Sequence, residues 1–179
     1  MQKITKGVIV AAGLGTRFLP ITKSIPKEML PVLDKPVLQY IVEEMVESGI
    51  REITIVISRE KNAIKEYFSR DLTFEKKLKK LGKYERLSSL VELLKKVKFN
   101  YVYQDEPLGN GHALLCAKKK VGTAPFVFSD ADSIISSKIP ATQQIIEVFH
   151  KYNAPVIGVQ KIRNKELMTK YGNVYGEKT

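Results

Sequence analysis

A short apolar run that breaks at once into a glycine-containing turn constrains this chain more than any other feature. The run covers residues 8–10 and is rich in β-branched side chains, which is typical of a buried parallel strand. Gly13 and Gly15 follow it, and glycine lets backbone amides approach a bulky anion closely. Arg17 and Lys27 come next, and both can contact phosphate oxygens. The pattern therefore indicates a polyphosphate held by backbone amides, with two cations closing over it.

Common phosphate-binding patterns match this turn only in part. The dinucleotide fingerprint requires a third glycine where Phe18 stands. A Walker A loop requires a glycine, a lysine and then serine or threonine, and the turn is not followed by that triplet. Spacing alone therefore leaves open a structural turn in which Arg17 and Lys27 are simply solvated.

Apolar strands alternate with amphipathic helices along the rest of the chain. The patterns predict strands over residues 8–10, 53–57, 99–103, 126–128 and 155–159, and helices over residues 37–46, 60–69, 71–96, 109–119 and 141–152. This alternation predicts one α/β domain over residues 1–179, a Rossmann-like, open and mostly parallel sheet with helices on both faces. Because ligands bind such sheets at the carboxyl ends of the strands, Gly13, Gln104 and Asp130 are expected at one edge.

The net charge of +11 is compatible with either a nucleic-acid surface or an anionic small ligand. Basic residues concentrate within residues 76–98 and at residues 118–120. Neither segment has the interleaved aromatic residues of an RNA-binding module. We therefore interpret both segments as solvated helix faces and do not expect a nucleic acid as partner.

The cysteine content and the terminal sequence indicate a cellular compartment. A single cysteine, Cys116, excludes an internal disulfide and is typical of a reducing environment. The charged N-terminus has no apolar signal core behind it, and no apolar run approaches the length of a membrane span. We expect a cytoplasmic protein that does not contact a membrane.

Several separated segments carry a resemblance to a known family. Residues 11–31 contain Ala-Ala-Gly-Leu-Gly-Thr-Arg and later Pro-Lys-Glu-Met-Leu-Pro, and Asp34-Lys35-Pro36 and Gln39-Tyr40 follow. This run resembles the N-terminus of the bacterial UTP–glucose-1-phosphate uridylyltransferases, which are sugar-phosphate nucleotidyltransferases. The similarity continues through Gln104, through Gly109-x-Gly111-His112-Ala113 and through Asp130.

The resemblance implies a nucleotide-diphospho-sugar transferase fold and an activity. UMP would pass from UTP to glucose 1-phosphate, giving UDP-glucose and pyrophosphate, with Mg²⁺ as cofactor. The attacking phosphate oxygen is already ionised, so in-line positioning and charge neutralisation would supply most of the rate enhancement.

The same resemblance implies a role for each matching residue. Arg17 would hold the β- and γ-phosphates and Lys27 would also reach the phosphates, which makes both of them candidate catalytic residues. The remaining implied roles are a phosphate loop at Gly13, Leu14, Gly15 and Thr16, contacts around the base from Ala11, Ala12 and Gly109, recognition of the uracil edge by Gln104, a metal ligand at Asp130, and approach to the sugar by Gly172.

Some of these roles have structural alternatives. Gln104 can be a loop-capping amide, and as a recognition residue it can serve thymine as well as uracil. His112 can merely support the turn beside it. Ala131 stands where the family often has a second acidic residue, so Asp132, which shares a face with Asp130 in extended backbone, is a second candidate metal ligand.

The enzymes of this family are longer than this chain. The resemblance places their sugar-phosphate pair, a second metal-binding aspartate and the dimerising elements beyond the segment seen here. We therefore expect a nucleotide-binding domain whose sugar-binding half is missing, either a fragment or a short form. The alternative function is a UTP- or UDP-sugar-binding module without turnover, which would form a homo-oligomer or join a complementing chain.

Overall fold

A four-stranded parallel sheet forms the centre of the computed structural model, which describes residues 3–161, 169 and 172–176. The strands are β1 (Lys6–Ala11), β2 (Glu52–Ile57), β3 (Lys98–Tyr103) and β4 (Phe126–Asp130). Their order across the sheet is β3-β2-β1-β4. In β1, Lys6 pairs with Glu52 of β2 on one side and with Phe126 of β4 on the other.

Six helices connect and cover these strands. They are α1 (Val37–Glu47), α2 (Asn62–Tyr67), α3 (Leu72–Lys80), α4 (Glu85–Lys96), α5 (Gly109–Val121) and α6 (Ala141–Tyr152). Between β1 and α1 the chain forms three single turns of 3-10 helix (Thr16–Phe18, Ile21–Lys23 and Lys27–Met29) and a short hairpin (Pro31–Val32 with Lys35–Pro36). None of the described helices has the length and apolar content needed to span a membrane.

Alternate side chains of β1 bury against different helices. Val8 points to the face that α5 covers, where it packs with Ala113 and Ala117. Ile9 points to the opposite face and joins the larger cluster that includes Leu38 of α1. Each fully buried aliphatic side chain of this kind contributes about 1.5–3 kcal/mol relative to leaving it exposed. The predicted class is confirmed: the sheet is parallel, and helices pack on both of its faces.

The strand order reverses at β1. From β1 the chain moves outward to β2 and β3, and then returns to place β4 on the other side of β1. Such a reversal opens a crevice outside the carboxyl ends of the two strands concerned, and ligands of open α/β sheets bind there. The crevice lies between the residues that follow Ala11 and those that follow Asp130.

The predicted strand over residues 155–159 is wrong. This segment forms no strand, and Ile157 and Val159 are each 71% exposed. Gly158 instead lies against α6, where an added Cβ would be 3.3 Å from Cδ1 of Ile145. An alternating apolar pattern becomes a strand only when a neighbouring strand accepts its hydrogen bonds, and residues 155–159 pair with no strand of the described chain.

The predicted helix over residues 71–96 is two helices. It is interrupted between α3 and α4, where Gly82 has a φ of +65°. Leu81, which the helical spacing predicts to face inward, is exposed at this break. The helix predicted over residues 60–69 also begins later, at Asn62. The basic residues of α3, α4 and the end of α5 are exposed, as expected of solvated faces.

The hydroxyl of Tyr101 in β3 is buried without a hydrogen-bond partner among the described residues. Burial also raises the pKa of Tyr101 to about 12. Because an unpaired buried hydroxyl is costly, Tyr101→Phe is expected to raise the free energy of unfolding by about 1 kcal/mol. Urea denaturation measures this change.

Tyr67→Phe is the matched control, because the Tyr67 hydroxyl donates a hydrogen bond to Oε1 of Gln39. Removing that hydroxyl is expected to lower the free energy of unfolding by about 1 kcal/mol. Equal destabilisation by the two substitutions would contradict the assignment of an unpaired hydroxyl to Tyr101.

Candidate nucleotide-binding site

The glycine-containing loop begins where β1 ends and is packed against the next two 3-10 turns. Gly15 has a φ of +68°, in the left-handed region that favours glycine. A Cβ at Gly15 would lie 3.2 Å from Cγ2 of Thr22 and 3.3 Å from Cβ of Lys27. The Thr22 hydroxyl also donates to the Gly15 carbonyl at 2.9 Å. Gly15 therefore shapes the loop, whereas Gly13 is exposed and a Cβ there would meet open space.

The residues between Gly13 and Arg17 face solvent at the sheet edge. Leu14 and Arg17 are exposed, while Ala11 and Ala12 are buried beneath them. An exposed guanidinium beside solvent-facing backbone is accessible to an anion that arrives at the crevice.

A buried ion pair lies under this loop and hydrogen-bonds to its backbone. Glu28 is fully buried, and both of its carboxylate oxygens lie 2.9 Å from Nζ of Lys61. The same ammonium donates to the carbonyls of Ala11 at 2.7 Å and Gly13 at 2.6 Å. Burial lowers the pKa of Lys61, and the neighbouring Glu28 carboxylate opposes that shift. The pair therefore connects the end of β1, the loop and the turn that carries Lys27.

Sequence reasoning missed Lys61, which it placed without a partner in the helix predicted over residues 60–69. The local sequence Ser-Arg-Glu-Lys at residues 58–61 is typical of a surface turn. The available signal was Glu28, a carboxylate between apolar and proline residues that needs a buried partner.

Lys27 reaches across the crevice to the end of β4. Its Nζ lies 2.7 Å from Oδ2 of Asp132, two residues beyond that strand. The Ala131 amide donates to the Val10 carbonyl at 3.2 Å, which joins the two strand ends. Asp130 accepts a hydrogen bond at Oδ1 from Nδ2 of Asn110 at 2.9 Å. The structure thus brings Lys27 and the glycine loop to the end of β4, the strand that carries Asp130.

Gln104 follows β3 and is buried at the start of α5. Its backbone N–H donates to the Ile57 carbonyl at 3.0 Å, and this hydrogen bond holds the backbone of Gln104 beside the end of β2. Its side-chain Nε2 lies 3.1 Å from the Gly109 carbonyl and 3.1 Å from Nδ1 of His112. Gly109 has a φ of +84°, so the turn into α5 uses a conformation that favours glycine.

Comparison with protein-family models gives a match to the family described as nucleotidyl transferase, over residues 6–179. The chain belongs to this nucleotidyl transferase family.

Curated relatives of the chain carry consistent names. The chain is 46% identical over 171 residues to UTP–glucose-1-phosphate uridylyltransferase YngB of Bacillus subtilis, an alignment that covers 96% of the chain and 57% of that protein. It is 42% identical over 166 residues to another B. subtilis UTP–glucose-1-phosphate uridylyltransferase, covering 93% of the chain and 57% of that protein. The chain thus spans little more than half the length of these relatives.

Two solved structures share the fold of the chain. UTP-bound UGPase from Acinetobacter baumannii superposes with a TM-score of 0.80 at 38% identity, covering 85% of the chain and 54% of that structure. A UDP-glucose pyrophosphorylase complexed with UDP-glucose gives a TM-score of 0.74 at 39% identity, covering 84% of the chain and 55% of that structure.

The carboxylates at the crevice are suited to a magnesium ion only together with a phosphate-bearing ligand. Among the described residues, no three acidic, histidine or cysteine side chains cluster as metal ligands. Residues 131 and 132 form a turn rather than extended backbone, and Oδ2 of Asp132 pairs with Lys27, so only its Oδ1 is open to an ion. Asp130 keeps Oδ2 without a hydrogen bond among the described contacts, and Mg²⁺ commonly binds one or two carboxylates plus substrate phosphates. A single carboxylate at the crevice fits that pattern.

Gly172 stays a prediction. It is exposed, and an added Cβ would contact nothing within 4 Å. Tyr171, the residue before it in the matching motif, lies outside the described residues.

Proposed function

We propose that this chain is the nucleotide-binding portion of a UTP–glucose-1-phosphate uridylyltransferase. In the proposed reaction, UMP passes from UTP to glucose 1-phosphate, and the products are UDP-glucose and pyrophosphate. The observation that carries the proposal is the meeting of the glycine loop, Lys27 and Asp130 at the crevice where the strand order reverses. The names of the relatives, at 42% and 46% identity, support the choice of substrates.

The proposed chemistry needs no covalent catalyst from the protein. An ionised phosphate oxygen of glucose 1-phosphate attacks the α-phosphorus of UTP, and the bond from that phosphorus to the pyrophosphate oxygen breaks. Backbone amides of residues 13–16 would hold the phosphates, and Arg17 and Lys27 would neutralise the charge that accumulates on the leaving pyrophosphate. The two cations lie on 3-10 turns of the same loop.

The proposed base site lies beside the phosphates. Ala11, Ala12 and Gly109 would surround the uracil, and Gln104 would hydrogen-bond its edge. Supporting this placement, Gln104 lies at the carboxyl end of β3, on the same edge of the sheet as the glycine loop.

Asp130 is the proposed metal ligand. Charge on the UTP phosphates would be neutralised in part by Mg²⁺ held there. Asn110 fixes one oxygen of the Asp130 carboxylate through a 2.9 Å hydrogen bond, which leaves the other for the ion.

The remaining proposals concern the sugar site, the domain, the partners and the cellular location of the chain. We propose that Gly172 approaches the sugar and that residues 1–179 form one domain lacking most of its sugar site. Activity would then need further chain, either in a homo-oligomer or from a complementing partner. The proposed location is the cytoplasm, in line with a single, partly buried cysteine.

The alternative function is binding of UTP or a UDP-sugar without turnover. It is supported by the site itself, because the residues that meet at the crevice are ones proposed to contact UTP or its magnesium ion. Calorimetry with UTP and Mg²⁺, followed by a pyrophosphate-release assay with glucose 1-phosphate, separates the two functions. UTP binding with turnover supports the enzyme, binding alone supports the module, and failure to bind UTP overturns both.

Asp130→Asn is expected to abolish the contribution of Mg²⁺ to UTP binding. The substitution removes a charge from the proposed ligand, so UTP affinity in Mg²⁺ should fall about tenfold, to the value measured in a chelator. Titration calorimetry with and without Mg²⁺ measures the difference.

Asp132→Asn is the matched control, because it removes the same charge two residues away, from a carboxylate that the proposal assigns to Lys27 and not to the ion. It should keep the full Mg²⁺ dependence. If Asp130→Asn also kept it, the metal role of Asp130 would be refuted.

A further inference from the structure

The side-chain amide of Gln104 has one orientation dictated by its neighbours. A backbone carbonyl can only accept a hydrogen bond, so the atom 3.1 Å from the Gly109 carbonyl must be the amide nitrogen, Nε2. The amide oxygen, Oε1, consequently points away from Gly109. Its orientation follows from the hydrogen-bond network, which is how amide groups are assigned.

The second neighbour of Nε2 is the His112 ring. The Nδ1 atom of His112 lies 3.1 Å from Nε2, which is a donor with two hydrogens. Nδ1 must therefore accept, so the ring is neutral and carries its proton on Nε2 of the imidazole. Gly109 and His112 together use both hydrogens of the Gln104 amide.

Oε1 of Gln104 is left as the atom that can meet a ligand. It accepts no hydrogen bond from the side chains within the described part of the chain, although the residue is only 5% exposed. An acceptor that no described side chain occupies gains a hydrogen bond when a ligand supplies a donor.

We propose that His112 determines base specificity by locking the Gln104 amide with its oxygen toward the base. The inference rests on the proposed function and deepens it, because it names which pyrimidine bases the site accepts and which it rejects. Uracil carries a hydrogen on N3 and can donate to Oε1. Cytosine has a lone pair on N3, which would face the lone pairs of Oε1. Thymine has the same N3–H as uracil, so this device separates uracil and thymine from cytosine only.

To offer a donor to N3 of cytosine, the amide would have to turn over. That rotation would place Oε1, which is an acceptor, against two other acceptors, the Gly109 carbonyl and Nδ1 of His112. Removing the His112 ring removes one of the two penalties. The Gly109 carbonyl retains the other, so the loss of selectivity should be partial.

The test compares UTP and CTP affinities of the full chain by calorimetry in Mg²⁺. The wild-type chain should prefer UTP. His112→Leu removes the acceptor and should lower the UTP-to-CTP affinity ratio about three- to tenfold, the effect of one neutral hydrogen bond. His112→Asn places an amide oxygen near the position of Nδ1 and should keep the ratio within about twofold of wild type.

Each result of the affinity comparison either supports or overturns the role of His112. An unchanged ratio in His112→Leu, or an equal loss in both variants, would overturn the role of His112 while leaving UTP binding and the proposed function in place. A wild-type chain that binds no UTP would overturn the proposed function and this inference with it.

A spectroscopic measurement on the unmodified chain is independent of how the variants fold. Long-range proton–nitrogen spectra of the wild-type chain at neutral pH should show Nδ1 of His112 unprotonated and the ring proton on Nε2. Protonation at Nδ1 would overturn the inference.

Discussion

Lys61→Met should lower the free energy of unfolding by about 3–5 kcal/mol, the usual cost of breaking a buried ion pair by removing one partner. The substitution leaves the Glu28 carboxylate fully buried without its cation, since Glu28 is 0% exposed. It also removes the donor from the carbonyls of Ala11 and Gly13. Chemical denaturation followed by circular dichroism measures the loss.

Arg59→Met is the matched control for this prediction. Arg59 and Asp105 form an ion pair of 2.7 Å, but their side chains are 67% and 59% exposed. Because solvent screens exposed pairs, removing this one should leave the unfolding midpoint within experimental error of wild type. Equal destabilisation by the two substitutions would mean that burial does not explain the contribution of the Glu28–Lys61 pair to the free energy of unfolding.

Lys27→Met should weaken UTP binding about ten- to a hundredfold, the effect of losing one charge-assisted hydrogen bond to a phosphate. The fold should be unaffected, because the partner that Lys27 leaves, Asp132, is 46% exposed at its side chain and becomes solvated. Titration calorimetry with UTP, alongside an unfolding curve, separates affinity from stability.

Lys23→Met provides the comparison, because Lys23 is an exposed lysine of the preceding 3-10 turn. It carries the same charge in the same loop and should change UTP affinity less than about threefold, as general attraction between charges predicts. Equal losses in the two variants would mean that the loop attracts UTP only through its net charge.

Local sequence patterns are enough to predict the fold class and the position of the site. The apolar run at residues 8–10 forms part of the central strand, and the strand predicted over residues 126–128 lies beside it. Because strand ends and glycine turns are local features, the sequence alone places Gly13, Gln104 and Asp130 at one edge of the sheet.

The contacts that complete the site are long-range, and local patterns do not encode them. Lys61 binds Glu28 from 33 residues away, and Lys27 binds Asp132 from 105 residues away. Either lysine, considered alone, looks like a solvated surface residue. The strand predicted over residues 155–159 failed for the same reason, because a strand depends on a neighbour that its own sequence does not specify.

The central position of β1 has a consequence for the way the chain is made. Synthesis delivers β1 first, yet β1 pairs on one side with β2 and on the other with β4. Val10 cannot pair with Asp130 until residues 126–130 have left the ribosome. The edge of β1 that pairs with β4 therefore stays unpaired while more than a hundred residues are added. The contact between Lys27 and Asp132 closes after that, so the crevice beside the glycine loop is completed only once β4 has been made.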